Sequence, residues 1–279
     1  MLKKNNLIWV VFYFLLLLIF LNIVGSLFGL HLEIEKNIVY KLLFLGLPVV
    51  LLILHSLMTL STRALFFIAL ASFTGWIMEV WGLNAGTFFG GHYVYKSSQL
   101  MLLSVPLSVI LYWAVFIYTG YCVVNSFVYW LNKQKPSRFQ KNLWLLPIAV
   151  LLDGCVVVAI DLFMDPLQVQ SGAWRWLEGG PYFGVPIGNF IGWFIVTIIV
   201  TGIFRTFEYF FPIKETKHNK TVYIIPVICY GALAISFTLD AIKYQMQDLA
   251  VVGSVLMFPT VVSNVILFIK WKLKGVGTL

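Results

Sequence analysis

Apolar positions run in long uninterrupted stretches along this chain, and polar positions gather in the gaps between them. Eight stretches, at 7–30, 38–60, 64–82, 105–131, 143–163, 187–211, 222–242 and 249–269, come close to or exceed the roughly 20 apolar residues a helix needs to cross a hydrocarbon layer. The pattern predicts an all-α polytopic membrane bundle, one transmembrane domain over residues 1–279. Only Ser61–Arg63 separates the second stretch from the third, so a tight helical hairpin is expected there. The first stretch follows MLKKNN, is longer than the about 7–15 apolar residues of a secretory leader, and lacks a small-residue cleavage site. It reads as a retained first helix.

Composition agrees with the pattern. Of the 279 residues 61% are hydrophobic, 17% aromatic and 11% charged, against about 25% charged in soluble domains, and the mean hydropathy is +0.93. A soluble enzyme, a disordered chain and an extended repeat scaffold are excluded. The net charge of +8 does not point to nucleic acid, because the basic residues collect at the ends of apolar stretches rather than among aromatics. With the N-terminus inside, 14 of the 19 Lys and Arg fall on the inner side (Arg63, Arg205 and the loops NKQKPSRFQKN and PIKETKHNK among them) and 5 on the outer. Excess positive charge marks the cytoplasmic side, so a multi-pass protein of the cell membrane with both termini in the cytoplasm is expected. Cys122, Cys155 and Cys229 lie inside apolar stretches without a CxxC and read as small apolar residues.

Two outer segments, 83–104 (LNAGTFFGGHYVYKSSQLMLLS) and 164–186 (MDPLQVQSGAWRWLEGGPYFGVP), are rich in Gly, Pro and aromatics. Non-helical backbone at a membrane is tolerated where protein buries it or where it lines a cavity. A parallel internal repeat frames them. Spans 3–4 carry Glu79, a Gly/aromatic loop and SVPLSVILYW ending at Trp113; spans 5–6 carry Asp161, a similar loop and GVPIGNFIGW ending at Trp193. Pro106 and Pro186 each precede their tryptophan by seven residues. Parallel repeats commonly place a site at their interface.

Ionisable residues inside hydrocarbon are costly and mark function by default. Glu79, Asp161 and Asp240 stand near the outer ends of spans 3, 5 and 7. Asp153 lies about two helical turns below Asp161, on roughly the same face. Asp165 precedes Pro166, and the residue before proline resists helix, so the fifth helix is expected to stop there. Together these acids would face one chamber. A carboxyl group surrounded by apolar and aromatic groups resists ionisation and is suited to act as a general acid, here on an alkene carbon. The tertiary cation formed would be held by a carboxylate and by the faces of Trp76, Trp81, Tyr93, Tyr95, Trp174, Trp176, Tyr182 and Trp193. The plainer readings are an interfacial aromatic belt, Asp165 bonding loop backbone, Asp240 paired with Lys243, and Glu178 and Asp248 solvated. Arg175 either pairs with Asp165 or Asp161 or snorkels to the interface. His92 is either a proton relay or a surface histidine.

Other signatures are missing. Asp161 and Asp165 stand four apart, where magnesium–diphosphate prenyl enzymes space their acids by three and carry two sets. His31, His55, His92 and His218 show no metal- or haem-binding spacing, and there is no G-x-G-x-x-G, P-loop or G-x-S-x-G. No metal and no cofactor is expected.

Over roughly residues 70–205 the chain resembles the membrane family of carotenoid biosynthesis proteins, which includes membrane-type carotenoid hydratases acting on acyclic ψ-end groups (γ-carotene and bisanhydrobacterioruberin hydratases). The first stretch that carries the resemblance is Glu79-V-W-G-L-N-A-Gly86-T-F-Phe89-Gly90-G-H-Tyr93-V-Tyr95, then Pro106. The second is Asp161-L-F-M-Asp165-Pro166, Trp174-R-Trp176 and Gly184-V-Pro186-I-G-Asn189-F-I-Gly192-Trp193. Two positions depart: the family reads F-G-x-Y-x-Y where this chain has F-G-G-H-Y-V-Y, and Ser104 stands where Gly is common before V-P. The resemblance implies a helical membrane bundle and cofactor-free addition of water across the terminal C1–C2 double bond of a ψ-end carotenoid. In that scheme Asp161, or next Glu79, protonates C2, and Asp165 or Asp153 orients the water. Asn189 joins the aromatic residues in holding substrate. The implied partners are a lipophilic carotenoid, the bilayer and other enzymes of the same pathway. The rival readings are an isoprenoid cyclase or isomerase started by the same protonation, and a non-enzymatic lipid transporter or scaffold.

Overall fold

In the computed structural model, which describes residues 2–27, 38–96, 100–132, 144–212 and 220–276, the eight apolar stretches form eight helices. They are α1 (Leu2–Leu27), α2 (Ile38–Thr59), α3 (Arg63–Ala85), α4 (Leu107–Asn132), α5 (Leu145–Ser171), α6 (Ile187–Phe210), α7 (Ile225–Lys243) and α8 (Gln247–Val276). Each contains a span long and apolar enough to cross a membrane, and a helix satisfies its own backbone there. The chain is a multi-pass membrane protein. Most of the two basic loops, with His31, Lys36 and His218, lies outside the described residues.

Helix α4 is the centre, packed against α2, α3, α5, α6, α7 and α8, while α1 rests on α2 and α7. Trp113, Ile117, Val157, Ile160, Phe163, Val196 and Phe204 build the core between α4, α5 and α6. The expected hairpin between α2 and α3 is present, with Ser61 in the left-handed region (φ 56°).

Helix α5 departs from expectation. It does not stop at Asp165 but continues through Pro166 to Ser171, ending at Gly172 with φ 74°. Proline removes one intrahelical N–H, and membrane helices tolerate that where neighbours re-satisfy the backbone; Asp165, Pro166 and Leu167 are all buried by packing. Asp161 and Asp165 are therefore successive turns of one helix, facing one way.

The two outer segments are also more ordered than loops. β1 (Tyr93–Tyr95) pairs antiparallel with β4 (Trp174–Trp176), Tyr93 opposite Trp176 and Tyr95 opposite Trp174. A second small pair joins β2 (Met101–Leu102) to β3 (Val105–Pro106). Its turn holds Leu103 and Ser104 at φ 49° and 66°, a conformation in which a Cβ costs about 1–2 kcal/mol. Glycine would be at ease where Ser104 stands.

Candidate active site

Glu79 sits one turn beyond Gly75 on α3 and is 4% exposed. Alternation along β1 sends Tyr93 and Tyr95 to the same face, and both hydroxyls donate to Glu79 Oε2, at 2.6 and 2.7 Å. Trp113 Nε1 donates to Oε1 at 3.1 Å. Burial first, and then the charge of Glu79, pushes both phenols well above the ordinary tyrosine value, so they remain donors. Three donors converge on one carboxyl group, an arrangement that suits a carboxylate.

The tryptophan is held by two features. Its ring stacks on Trp193 of α6, centroids 3.9 Å apart and planes 23° apart. On its α3 side, a Cβ added at Gly75 would meet Trp113 Cγ at 2.2 Å, so only glycine admits the indole to Glu79. Gly75→Ala is expected to destabilise the protein by about 1–3 kcal/mol, the usual cost of overpacking, measured as lowered thermal unfolding in detergent. An unchanged transition would show that Trp113 has room to move.

A second carboxyl group faces the first across the same space. Asn189, in the first turn of α6, uses its amide to donate to Asp161 Oδ2 at 2.9 Å and to Asp165 Oδ2 at 2.7 Å. Asp161 Oδ1 is buried without a hydrogen-bond partner, as is the Tyr182 hydroxyl. Burial and the nearby Asp161 charge push Tyr182 up to about 12.

These groups meet at a cavity of about 620 Å³, within the about 300–1,000 Å³ of small-molecule sites. Glu79, Asp165 and Asn189 reach its wall together with Tyr93, Tyr95, Trp113, Trp174, Trp176 and Trp193. Eight of the sequence-derived candidates are thus brought together. Asp161 is not on the wall: it is 0% exposed and lies behind Asp165 and Asn189. Trp76 instead donates to the Leu102 carbonyl at 3.3 Å, and Trp81 is 51% exposed and stacked on Phe88. His92 is exposed beside Gly86. Arg175 is exposed, opposite Val94 on the ribbon, and so faces away from its neighbours Trp174 and Trp176. Asp240 is half-buried near the end of α7, its carbonyl accepting from the Tyr244 N–H, and does not line the cavity.

Asp153 belongs to a different cluster, about 12 Å further along α5 from Asp161 at the helical rise. Arg205 Nε and Nη2 donate to its two oxygens at 2.6 and 2.7 Å. Nη1 donates to Asn125 at 2.9 Å, and the guanidinium lies 4.5 Å from the centre of the Tyr121 ring. Tyr121 in turn donates to Glu208 at 2.7 Å. Arg205, 6% exposed, is therefore not one of the inner-surface charges but half of a buried ion pair joining α5 to α6. Sequence reasoning passed over Glu208, Asn125 and Tyr121, and used Trp113 only as a repeat marker. The i, i+4 run Asn189, Trp193, Thr197, Thr201, Arg205 on α6 was the available signal.

Among the described residues no group of three or more His, Cys, Asp and Glu is arranged to hold a metal ion. The cavity offers hydrogen-bonded carboxyl groups and aromatic faces. It can donate a proton, take one back and shelter a cation. In F-G-G-H-Y-V-Y, Gly91 and His92 precede β1, and the two tyrosines reach Glu79. No curated protein and no solved structure is significantly similar to the chain. A family model described as carotenoid biosynthesis protein matches residues 37–259, a stretch that holds every residue of the cavity wall, and the chain belongs to that family.

Proposed function

We propose that this protein is a carotenoid hydratase that adds water across the terminal C1–C2 double bond of an acyclic ψ-end group. The observation that carries the reading is a buried pair of aspartates, one of them on the wall of an aromatic cavity that also exposes a carboxylate held by three donors. The family supplies the substrate class; the cavity supplies acid, base and cation shelter.

Asp165 is the proton donor, in place of Asp161. Asn189 spends one N–H on each aspartate, which leaves Asp161 Oδ1 without a donor; a single proton held by the pair meets that need, as two adjoining carboxylates resist ionising together. The C2=C1 π pair takes the proton from Asp165 and becomes a C2–H bond, leaving a tertiary cation at C1. The aromatic faces and the Glu79 carboxylate stabilise it. A water oxygen then forms the C1–O bond, and the proton it sheds passes to Glu79 and back to the aspartate pair. The sum is substrate plus one water, with the site restored. The basic-residue distribution further supports both termini in the cytoplasm, with the cavity nearer the opposite face.

Tyr95→Phe is expected to slow conversion roughly tenfold or more while substrate still binds, since a hydrogen bond to a charged group contributes about 1.5–3 kcal/mol. A wild-type rate would remove the Glu79 charge from the account. The reading as a whole is tested by expressing the chain in hosts that accumulate lycopene or γ-carotene and weighing the pigments. Hydration adds the mass of water, whereas a cyclase or isomerase using the same acid adds nothing.

A further inference from the structure

The cavity wall is divided by chemistry. From Asp165 a polar strip climbs the last turns of α5: Gln168 follows three residues on and Ser171 six, about 9 Å of helix rise from the acid. Both line the cavity, as does Lys96 at the end of β1. The backbone that carries these groups is joined by hydrogen bonds. The Lys96 N–H donates to the Ala173 carbonyl at 2.9 Å, the Ala173 N–H to the Gln168 carbonyl at 2.9 Å, and Ser171 Oγ to the same carbonyl at 3.0 Å. Exposure rises along the strip, from Asp165 at 2% through half-buried Gln168 and Ser171 to exposed Lys96. The cavity therefore reaches polar surface on this side.

The remaining wall is mainly hydrocarbon. Phe44 and Leu45 of α2, Val109 of α4, and Leu233 and Phe237 of α7 line it. Tyr112, also on this wall, spends its hydroxyl on the Phe44 carbonyl at 3.1 Å, and Ser108 of α4 brings a second hydroxyl to it. Phe44, Leu45 and Leu233 are half-buried, on helices that also expose Leu42, Val50, Ile53, Leu57 and Ile235.

We infer that the two reactants approach from different sides: the polyene along α2, α4 and α7, and water along Lys96, Ser171 and Gln168, with Gln168 governing how often the cation is captured by water. This rests on the hydratase reading and deepens it. Helical side chains lean toward the N-terminus, so Gln168 covers the turn that carries Asp165, and its amide can both accept from and donate to a water above the acid. The cation has two exits. Water adds its oxygen to C1 and sheds a proton to a carboxylate, giving the alcohol. Without water, a carbon beside C1 gives its proton to a carboxylate and its C–H pair closes a new double bond, giving an isomer of the substrate. Gln168 favours the first.

Two measurements test this. In a chain whose three native cysteines are replaced by alanine, Gln168→Cys and Leu233→Cys are exposed, in open membrane fragments, to a charged thiol reagent and to a lipid-soluble maleimide. The charged reagent should modify Gln168→Cys and spare Leu233→Cys, which only the maleimide should reach. Failure of the charged reagent at Gln168→Cys overturns the water approach whatever reaction the protein performs. In the otherwise wild-type protein, Gln168→Leu should lower the ratio of alcohol to isomer roughly three- to tenfold, the range one hydrogen bond supplies, and Gln168→Glu should restore it. An unchanged ratio overturns the role of Gln168. If the wild-type protein yields no alcohol, it is the hydratase reading that fails, and the labelling result stands by itself.

Discussion

Asp165→Asn is expected to remove nearly all of the proposed conversion of a ψ-end carotenoid, a fall of about 10²–10⁴-fold, the usual contribution of a positioned general acid. The substitution keeps size and planarity but cannot release a proton at working pH. Asp165 lies on the cavity wall and Asp161 does not, so Asp161→Asn should cost less, acting only through the loss of the partner that shares its proton. Rates in membranes, normalised to protein quantity, decide between them. A wild-type rate for Asp165→Asn together with an inactive Asp161→Asn would return the acid to Asp161.

The largest effect on stability belongs to the other buried cluster. Arg205→Leu strands the Asp153 carboxylate, 0% exposed, without its bidentate partner. Breaking one side of a buried ion pair costs about 3–5 kcal/mol, and thermal unfolding in detergent should fall accordingly. Removing both charges in Asp153→Leu/Arg205→Leu should recover much of that loss, because a buried pair gains little net energy over apolar packing. If the double variant is no better than Arg205→Leu, the cluster's contribution comes from Asn125 and Tyr121 rather than from the pair. The cluster joins α4, α5 and α6, the helices that also carry Trp113, Asp165 and Asn189, so its loss would also disturb the cavity.

Much of this was legible in the sequence because the membrane imposes it. Hydropathy located all eight helices, and acids as costly in hydrocarbon as Glu79 and Asp161 mark a candidate site. Local rules failed where tertiary packing overrode them. Asp165–Pro166 reads as a helix end, yet packing around Pro166 carries α5 to Ser171, and that extension lifts Gln168 and Ser171 above the acid. The pairing of Tyr93–Tyr95 with Trp174–Trp176 joins segments about 80 residues apart, at the separations given by their register, and neither strand is long enough to announce itself. Arg205 followed the charge tally because a one-dimensional pattern cannot tell a helix end from a buried partner. Trp113 was visible only through the spacing of the expected repeat; its bond to Glu79 depends on Gly75, a glycine with no signature of its own.

The central claim is that water, admitted to an acid-bearing aromatic cavity, becomes part of the product. Membranes containing the protein, supplied with a ψ-end carotenoid in ¹⁸O-labelled water and analysed by mass spectrometry, test it most directly. The account predicts a product heavier by one labelled water for each end that reacts, formed by the wild-type protein and lost in Asp165→Asn. A product of unchanged mass, rearranged by the same acid but carrying no solvent oxygen, would contradict it.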